Sequence, residues 1–280
     1  MSLAICFMVV NKVKELPALA IRSVLDLTDS PIFVGYFRER DISDLPRDDQ
    51  ITFIKIADLP EEETVGYQNF GTSSFYDLVS RKWDLIIRVL NLGFDFVIYN
   101  DIDLVWARDA GMEITNTFAS NQNSEILVQS LTESPAKPSL CMGFIALRNS
   151  AFTLDFLTEC AEANLKSRIR LEMIGDDEII TEIYKNRNFD SRIRELPQIT
   201  FPVGYFIGLF HGLPPMPGIA QASPYIFHAN YVIGETNKRI LLRLFLGRER
   251  LKKLGFRSNY YLQAVYMLKR IKTFYYRVTH

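Results

Sequence analysis

The sequence predicts an α/β fold, a mixed and mostly parallel sheet flanked by helices, and three observations lead to it. Short apolar runs have the length of buried strands; they alternate with stretches of helical periodicity; and a pair of carboxylates directly follows one of the runs. Residues 3–10 form the first run, apolar throughout as a strand covered on both faces must be. No basic region precedes it and it is too short to span a bilayer, so it reads as a central strand, not a signal peptide.

Residues 15–27 follow with helical spacing, placing Leu16, Leu19, Ile21, Val24 and Leu25 on one side. Residues 31–36 and 51–56 read as the second and third strands, and the polar stretches 37–50 and 57–74 as loops. A helical pattern over 75–92 carries Leu78, Leu85, Ile86, Val89 and Leu90, with Gly93 well placed to end it. Residues 94–99 form a strand that runs straight into Asn100-Asp101-Ile102-Asp103. Further strands are expected over 125–130 and 143–147, and helices near 151–165 and 177–186. Repeats, low-complexity tracts and linkers are absent, so one large domain over 1–238 with a helical extension over 239–280 is the simplest division.

With 48% hydrophobic and 23% charged residues the chain has the composition of a globular enzyme, and its net charge of −1 gives no ground for nucleic-acid binding. The charge is unevenly spread. Residues 239–280 hold eleven Lys/Arg against one Glu, a net of +10, leaving 21 basic and 32 acidic groups in 1–238, a net of −11. The basic segment interleaves Leu, Phe and Tyr with its cations. It suits either helices packed on the acidic body or a peripheral contact with an anionic membrane surface. Three widely spaced cysteines (Cys6, Cys141, Cys160) lack metal-ligand spacing and read as reduced core thiols of a cytoplasmic protein. The sequence contains no Asn-x-Ser/Thr sequon, in keeping with that compartment.

Two Asp side chains one residue apart, just beyond an apolar strand, are placed for chemistry because open α/β sheets bind ligands outside the carboxyl ends of their strands. Hard cations such as Mg²⁺ and Mn²⁺ use one or two carboxylates plus substrate phosphates. Alone, Asp-x-Asp is equally an acidic turn capping a helix. The surrounding segment FVIYNDIDLVWARD (96–109) strengthens the metal reading, since Asn100 and two carboxylates at the end of a buried strand are costly without a partner.

That segment resembles the metal-binding motif of nucleotide-sugar glycosyltransferases of the GT-A (Rossmann-like) fold, most closely glycosyltransferase family 77. There Asp-x-Asp is followed by an apolar pair, Trp, an apolar residue, Arg and Asp. The resemblance continues over roughly residues 75–240: Lys82 in the helix before the motif strand, followed by Leu90-x-x-Gly93, then Cys141-Met-Gly143-Phe144, Gly175-Asp-Asp-Glu178, Phe201-Pro-Val-Gly204, and Phe227-His-Ala-Asn-Tyr-Val-Ile-Gly234 with Lys238. It departs from the family at Cys141 and Met142, where a polar pair is expected, and at Asp177 or Glu178, where Gln is usual.

The resemblance implies a glycosyltransferase using Mn²⁺ or Mg²⁺. A UDP-sugar donor (xylose, another pentose or galactose) binds mainly within 1–110, and an oligosaccharide or glycan acceptor mainly within 111–238. Asp101, Asp103 and His228 would hold the metal. Val10, Asn11, Lys82, Asp101, Ile102, Gly143, Gly204, Asn230, Gly234 and Lys238 would line the donor, with Lys238 as a point charge aimed at the diphosphate. Asp176, Asp177 and Glu178 would face the reacting sugar, as a general base in an inverting transferase or as a holder of hydroxyls in a retaining one. Acids in the first turn of a helix are also ordinary caps. His211 is expected to have no role. Two other classes fit the carboxylate pair: a nucleotidyl- or phosphoryl-transfer enzyme, which would be expected to carry a Gly-rich phosphate loop, and a non-catalytic glycan-binding protein with a degenerate site.

Overall fold

In the computed structural model the described residues are 1–10, 15–57, 80–132, 138–170, 172, 174–204, 223–230, 232 and 234–253. β1 (Leu3–Met8) is the buried strand its apolar run requires. It pairs in parallel with β2 (Ile32–Tyr36) on one side and β4 (Phe96–Asn100) on the other, and β2 pairs in parallel with β3 (Ile51–Lys55). β7 (Leu140–Arg148) runs antiparallel to both β4 and β6 (Ile126–Ser130), and β8 (Ile193–Glu195) closes the edge in parallel with β6. The resulting seven-stranded order is β3-β2-β1-β4-β7-β6-β8, mostly parallel with one reversed strand. A two-stranded antiparallel sheet joins β5 (Leu104–Trp106) to β9 (Ile226–His228).

Side chains of β1 alternate between two cores, as the period of two along a strand demands. Ala4 and Cys6 pack with Trp83, Ile86 and Val89 of α2 (Lys82–Leu90), Phe156 of α4 (Ala151–Ile169) and Ile180 of α5 (Asp176–Asn186). Ile5 and Phe7 pack with Ile21 and Val24 of α1 (Glu15–Leu25) and Ile114 and Phe118 of α3 (Ala110–Ser120). Local chemistry sets the helix ends. Asp109 caps α3 by accepting from Met112 N at 2.9 Å, and Ser150 caps α4 by accepting from Thr153 N at 3.2 Å. Beyond α2 the chain turns at Gly93, whose φ is +90°.

The basic segment begins as α6 (Glu235–Lys253), which runs through the boundary expected after residue 238. Leu241, Leu242 and Phe245 are buried against Leu16, Val105 and Phe227, with the Phe227 and Phe245 rings stacked at 4.5 Å. Glu15 meets Arg239 at 2.5 Å and Arg243 at 3.0 Å. The start of the segment is therefore a helix packed on the acidic body; residues 254–280 lie outside the described residues, as do 58–79 and the beginning of the helix expected from 75.

Among the described strands and α-helices, β5, β8 and α3 were not expected. β5 and β8 are three residues each, too short to show a period, and β8 has an Arg at its centre. α3 is rich in Thr, Asn and Gly, weak helix formers, and is held by its cap and by Ala110, Ile114 and Phe118 on one buried face.

A Cβ at Gly93 would touch nothing within 4 Å, so Gly93→Ala isolates the backbone cost of the positive φ. The expected effect is a loss of about 1–2 kcal/mol of stability with no change in the site, read by urea denaturation.

Candidate active site

The Asp101–Asp103 turn is built by its neighbours. Asn100, fully buried, donates through Nδ2 to Asp101 O at 2.9 Å and accepts through Oδ1 from the Trp106 indole N–H at 2.9 Å. Asp101 N donates to Gly143 O at 2.8 Å, carrying the β4–β7 ladder one residue past the strand. Ile102 packs on the core between the two acids. The chain reverses with Leu104 N donating to Asp101 O at 3.2 Å, and β5 then pairs with β9 so that Leu104 lies opposite His228. Register alone therefore brings Asp103 to His228, fixed by Ala229 N donating to Asp103 O at 2.9 Å.

Asp103, nearly buried, has its Oδ1 3.3 Å from His228 Nε2 and its Oδ2 2.5 Å from Lys238 Nζ at the start of α6. Burial alone would raise the Asp103 carboxyl, but Lys238 first, and the His228 ring when it is protonated, outweigh it and hold it well below the usual carboxylate range. Ligand atoms of Asp101, Asp103 and His228 lie within 4.8 Å of one another, two oxygens and one imidazole nitrogen able to hold a cation.

Beside this cluster lies a second one. Lys82, 3% exposed, reaches Asp101 Oδ1 at 3.4 Å and forms a tighter pair with Asp176. Burial works against its charge, yet Asp101 and Asp176 together hold the ammonium well above its ordinary value. The Tyr99 hydroxyl donates to Asp101 Oδ1 at 2.8 Å. Asp177 accepts from Met142 N at 2.6 Å; burial, and next the neighbouring Asp176 charge, push its carboxyl up to about 8. Glu178 Oε2 accepts from Gly175 N at 2.8 Å, capping its own helix.

Gly143 and Gly204 are explained by close approach. A Cβ on Gly143 would fall 2.1 Å from His228 Cε1, and one on Gly204 would fall 2.2 Å from Asn230 O. Asn230 Oδ1 accepts from Gly204 N at 2.5 Å. Gly234 opens α6 with a φ of +87°, and Lys238 N donates back to Gly234 O at 3.1 Å. Val10 follows β1, half-buried against the core. Asn11 and His211 lie outside the described residues. The structure thus gathers Lys82, Asp101, Asp103, Gly143, Asp176, Asp177, His228 and Lys238. Three contributors were not expected: Tyr99, Trp106 as a hydrogen-bond donor, and Gln129. Gln129 is fully buried with Oε1 3.0 Å from His228 Nδ1. A Gln inside the apolar strand Ile126-Leu-Val-Gln-Ser130 was the available sign.

The raised carboxyl of Asp177 makes stability depend on pH. The folded state keeps this proton up to about pH 8, whereas the unfolded chain loses it near 3.8, so between those values the folded state binds more protons. Its contribution is complete below the unfolded value and is lost as pH rises through the window, at a slope of up to about 1.4 kcal/mol per pH unit. Asp177→Asn is expected to remove this decline, which chemical denaturation at pH 5, 6 and 7 would measure.

Comparison with known proteins agrees with this arrangement. Residues 49–242, from the end of the β2–β3 connection into α6, match the nucleotide-diphospho-sugar transferase family. Over 181 residues the chain is 25% identical to UDP-D-xylose:L-fucose alpha-1,3-D-xylosyltransferase 3 of Arabidopsis thaliana. That alignment takes in 60% of this chain and 46% of the plant protein, so the chain spans less than half the length of that relative. Among solved structures, a glycosyltransferase involved in the glycosylation of the major capsid of PBCV-1 is similar with a TM-score of 0.55. The likeness covers 87% of this chain and 100% of that one at 9% identity, and bears on the fold alone. With a matching region that runs from β3 through the carboxylate turn to Lys238, this chain belongs to the nucleotide-diphospho-sugar transferase family and has its GT-A type fold.

Proposed function

We propose that the protein is a metal-dependent glycosyltransferase that moves a sugar from a UDP-sugar donor to a saccharide hydroxyl of a glycan. The observation that carries this reading is the convergence of Asp101, Asp103 and His228 within 4.8 Å beyond the carboxyl end of β4, with Lys238 against Asp103. Two carboxylate oxygens with an imidazole nitrogen form a donor set that suits Mn²⁺ better than Mg²⁺. A cation bound there supplies charge neutralisation for a departing diphosphate. Lys238 adds a second positive charge at the same point, able to pass from Asp103 to the diphosphate. Lys82 orients Asp101 and Asp176 from beneath.

Near neutral pH Asp177 keeps its proton, which suits it to donating a hydrogen bond to a sugar hydroxyl and ill suits it to proton abstraction. This favours the retaining chemistry of family 77. Asp176, ion-paired with Lys82, would accept from a hydroxyl of the same sugar. The name of the plant relative specifies UDP-D-xylose and L-fucose, which supports a UDP-pentose donor ahead of UDP-galactose. Val10 and Asn11, at the end of β1, would contact the base. Three free, buried cysteines support a cytoplasmic setting. No described helix is long and apolar enough to cross a membrane. Membrane contact by α6 would have to use faces other than the one carrying Leu241, Leu242 and Phe245.

Calorimetry with UDP, with and without Mn²⁺, tests the reading. UDP is expected to bind at least tenfold more tightly with Mn²⁺, and Asp103→Ala is expected to lose that gain and to lower turnover by on the order of a hundredfold or more. Metal-independent UDP binding, or an active Asp103→Ala, would refute the metal assignment. Gly143→Ala drives a methyl group into the His228 ring and should likewise lose the Mn²⁺ enhancement, with a far-UV spectrum like that of the wild type.

A further inference from the structure

The residue beneath His228 decides what its other nitrogen can do. β6 shifts register between Val128 and Gln129, a bulge that re-aims the Gln129 side chain. Gln129 is fully buried, where an amide must satisfy its hydrogen bonds or destabilise the fold. Its Nε2 lies 3.1 Å from both Phe201 O and Pro202 O. Carbonyl oxygens only accept, so the NH₂ end must face them and both of its hydrogens are used. The amide orientation is therefore fixed by chemistry, and Oε1, which only accepts, faces His228 Nδ1 at 3.0 Å. Nδ1 must therefore carry a proton. Cys141 Sγ, 3.9 Å from Nδ1, is a far weaker partner and does not compete.

With the proton on Nδ1, neutral His228 turns the lone pair of Nε2 toward Asp103 Oδ1, 3.3 Å away. Two lone pairs at that separation repel unless positive charge lies between them. The other neutral tautomer would donate from Nε2 to Asp103 and close the site upon itself. We infer that Gln129 is a positioning residue: by accepting from Nδ1 it holds the neutral His228 ring in the tautomer whose Nε2 is open to a metal ion, in place of the one that would donate from Nε2 to Asp103. The inference rests on the proposed role of Asp103 and His228 as metal ligands. Gly143 supports it by packing so close to the ring that little room remains to reorient. Outer partners of metal-binding histidines generally act in this way, and their loss costs about 10- to 100-fold in metal affinity.

The test has two arms. The full chain labelled with [¹⁵N]histidine contains three histidines, and the His228 signals are identified by their loss in His228→Gln. In the metal-free wild type, Nδ1 of His228 should carry a proton in long-range ¹H–¹⁵N spectra at neutral and mildly alkaline pH. An unprotonated, pyridine-like Nδ1 would overturn the inference whatever the outcome with metal. In the second arm, Gln129→Met keeps the volume and removes the acceptor. Mn²⁺ affinity in the presence of UDP should fall about 10- to 100-fold, and Nδ1 should lose its proton to Nε2 in part or in full. Equal Mn²⁺ affinity in Gln129→Met and wild type would also overturn it. Should Gln129→Met fail to fold, the wild-type Nδ1 signal still decides. Should the wild type itself show no Mn²⁺ enhancement of UDP binding, the metal reading falls, and the Nδ1 signal separately judges the Gln129 contact.

Discussion

The carboxylate of Asp103 is a buried anion at the end of a sheet, and much of the molecule is arranged to make that tolerable. An uncompensated charge there would cost several kcal/mol, so a positive partner must be delivered to it. The ammonium of Lys238 arrives through α6 and the imidazole of His228 through the β5–β9 pairing, both from more than a hundred residues further along the chain. Neither partner can arrive unless the C-terminal third of the described chain docks on the N-terminal body. The Phe227–Phe245 stack, the burial of Leu242 and the Glu15 pairs with Arg239 and Arg243 accomplish that docking. Packing and electrostatics therefore act on one another: the apolar contacts of α6 place the charge, and the charge makes the buried acid possible.

Sheet topology explains why the remaining groups share the same edge. β4 ends at Asn100, and β7 runs antiparallel to it with Asn100 opposite Phe144. The first half of β7 (Cys141, Met142, Gly143) thus lies beside the carboxylate turn, where a parallel strand would have presented its last residues instead. α5 begins near the same point, so the amide of Met142 meets Asp177 and Lys82 bridges Asp101 and Asp176. Four carboxyl groups converge with only two ammonium groups, Lys82 and Lys238. Burial and the Asp176 charge push the Asp177 carboxyl up, which favours its neutral form and spares the cluster one of the excess negative charges. The acids that remain form a site that gains from a further cation.

Much of this was legible in the sequence because the signals were local. The apolar runs of β1, β2 and β4 and the helical spacing of α1 and α2 marked the sheet and its layers, and Gly93 marked a chain reversal. The DxD turn, His228 and Lys238 stood out only as motifs; what joined them was the β5–β9 register, set by strands too short to show any periodicity. Gln129 was ambiguous for a different reason. A single polar residue in an apolar strand has many explanations, and only the bulge at Val128/Gln129 and the two carbonyls of Phe201 and Pro202 give it one. Composition marked the basic segment, but charge could not tell a membrane-facing helix from a packed one. Leu241, Leu242 and Phe245 became informative once Val105 and Phe227 were seen beneath them.

The position of Lys238 carries the argument one step further. Its ammonium lies 2.5 Å from the Asp103 oxygen, on the carboxylate that a metal would use. Two cations on the two oxygens of one carboxylate repel, so a metal ion held by Asp103 Oδ1 and His228 Nε2 would weaken the hold of Oδ2 on Lys238 and favour its turning toward a diphosphate. The negative charge of the diphosphate then compensates Lys238 as Asp103 did before. Metal and nucleotide should therefore bind cooperatively, each removing a cost that the other would meet alone. The origin of that coupling is the same buried anion: Asp103 needs one strong positive partner, and α6 supplies it in a form that can be exchanged for another.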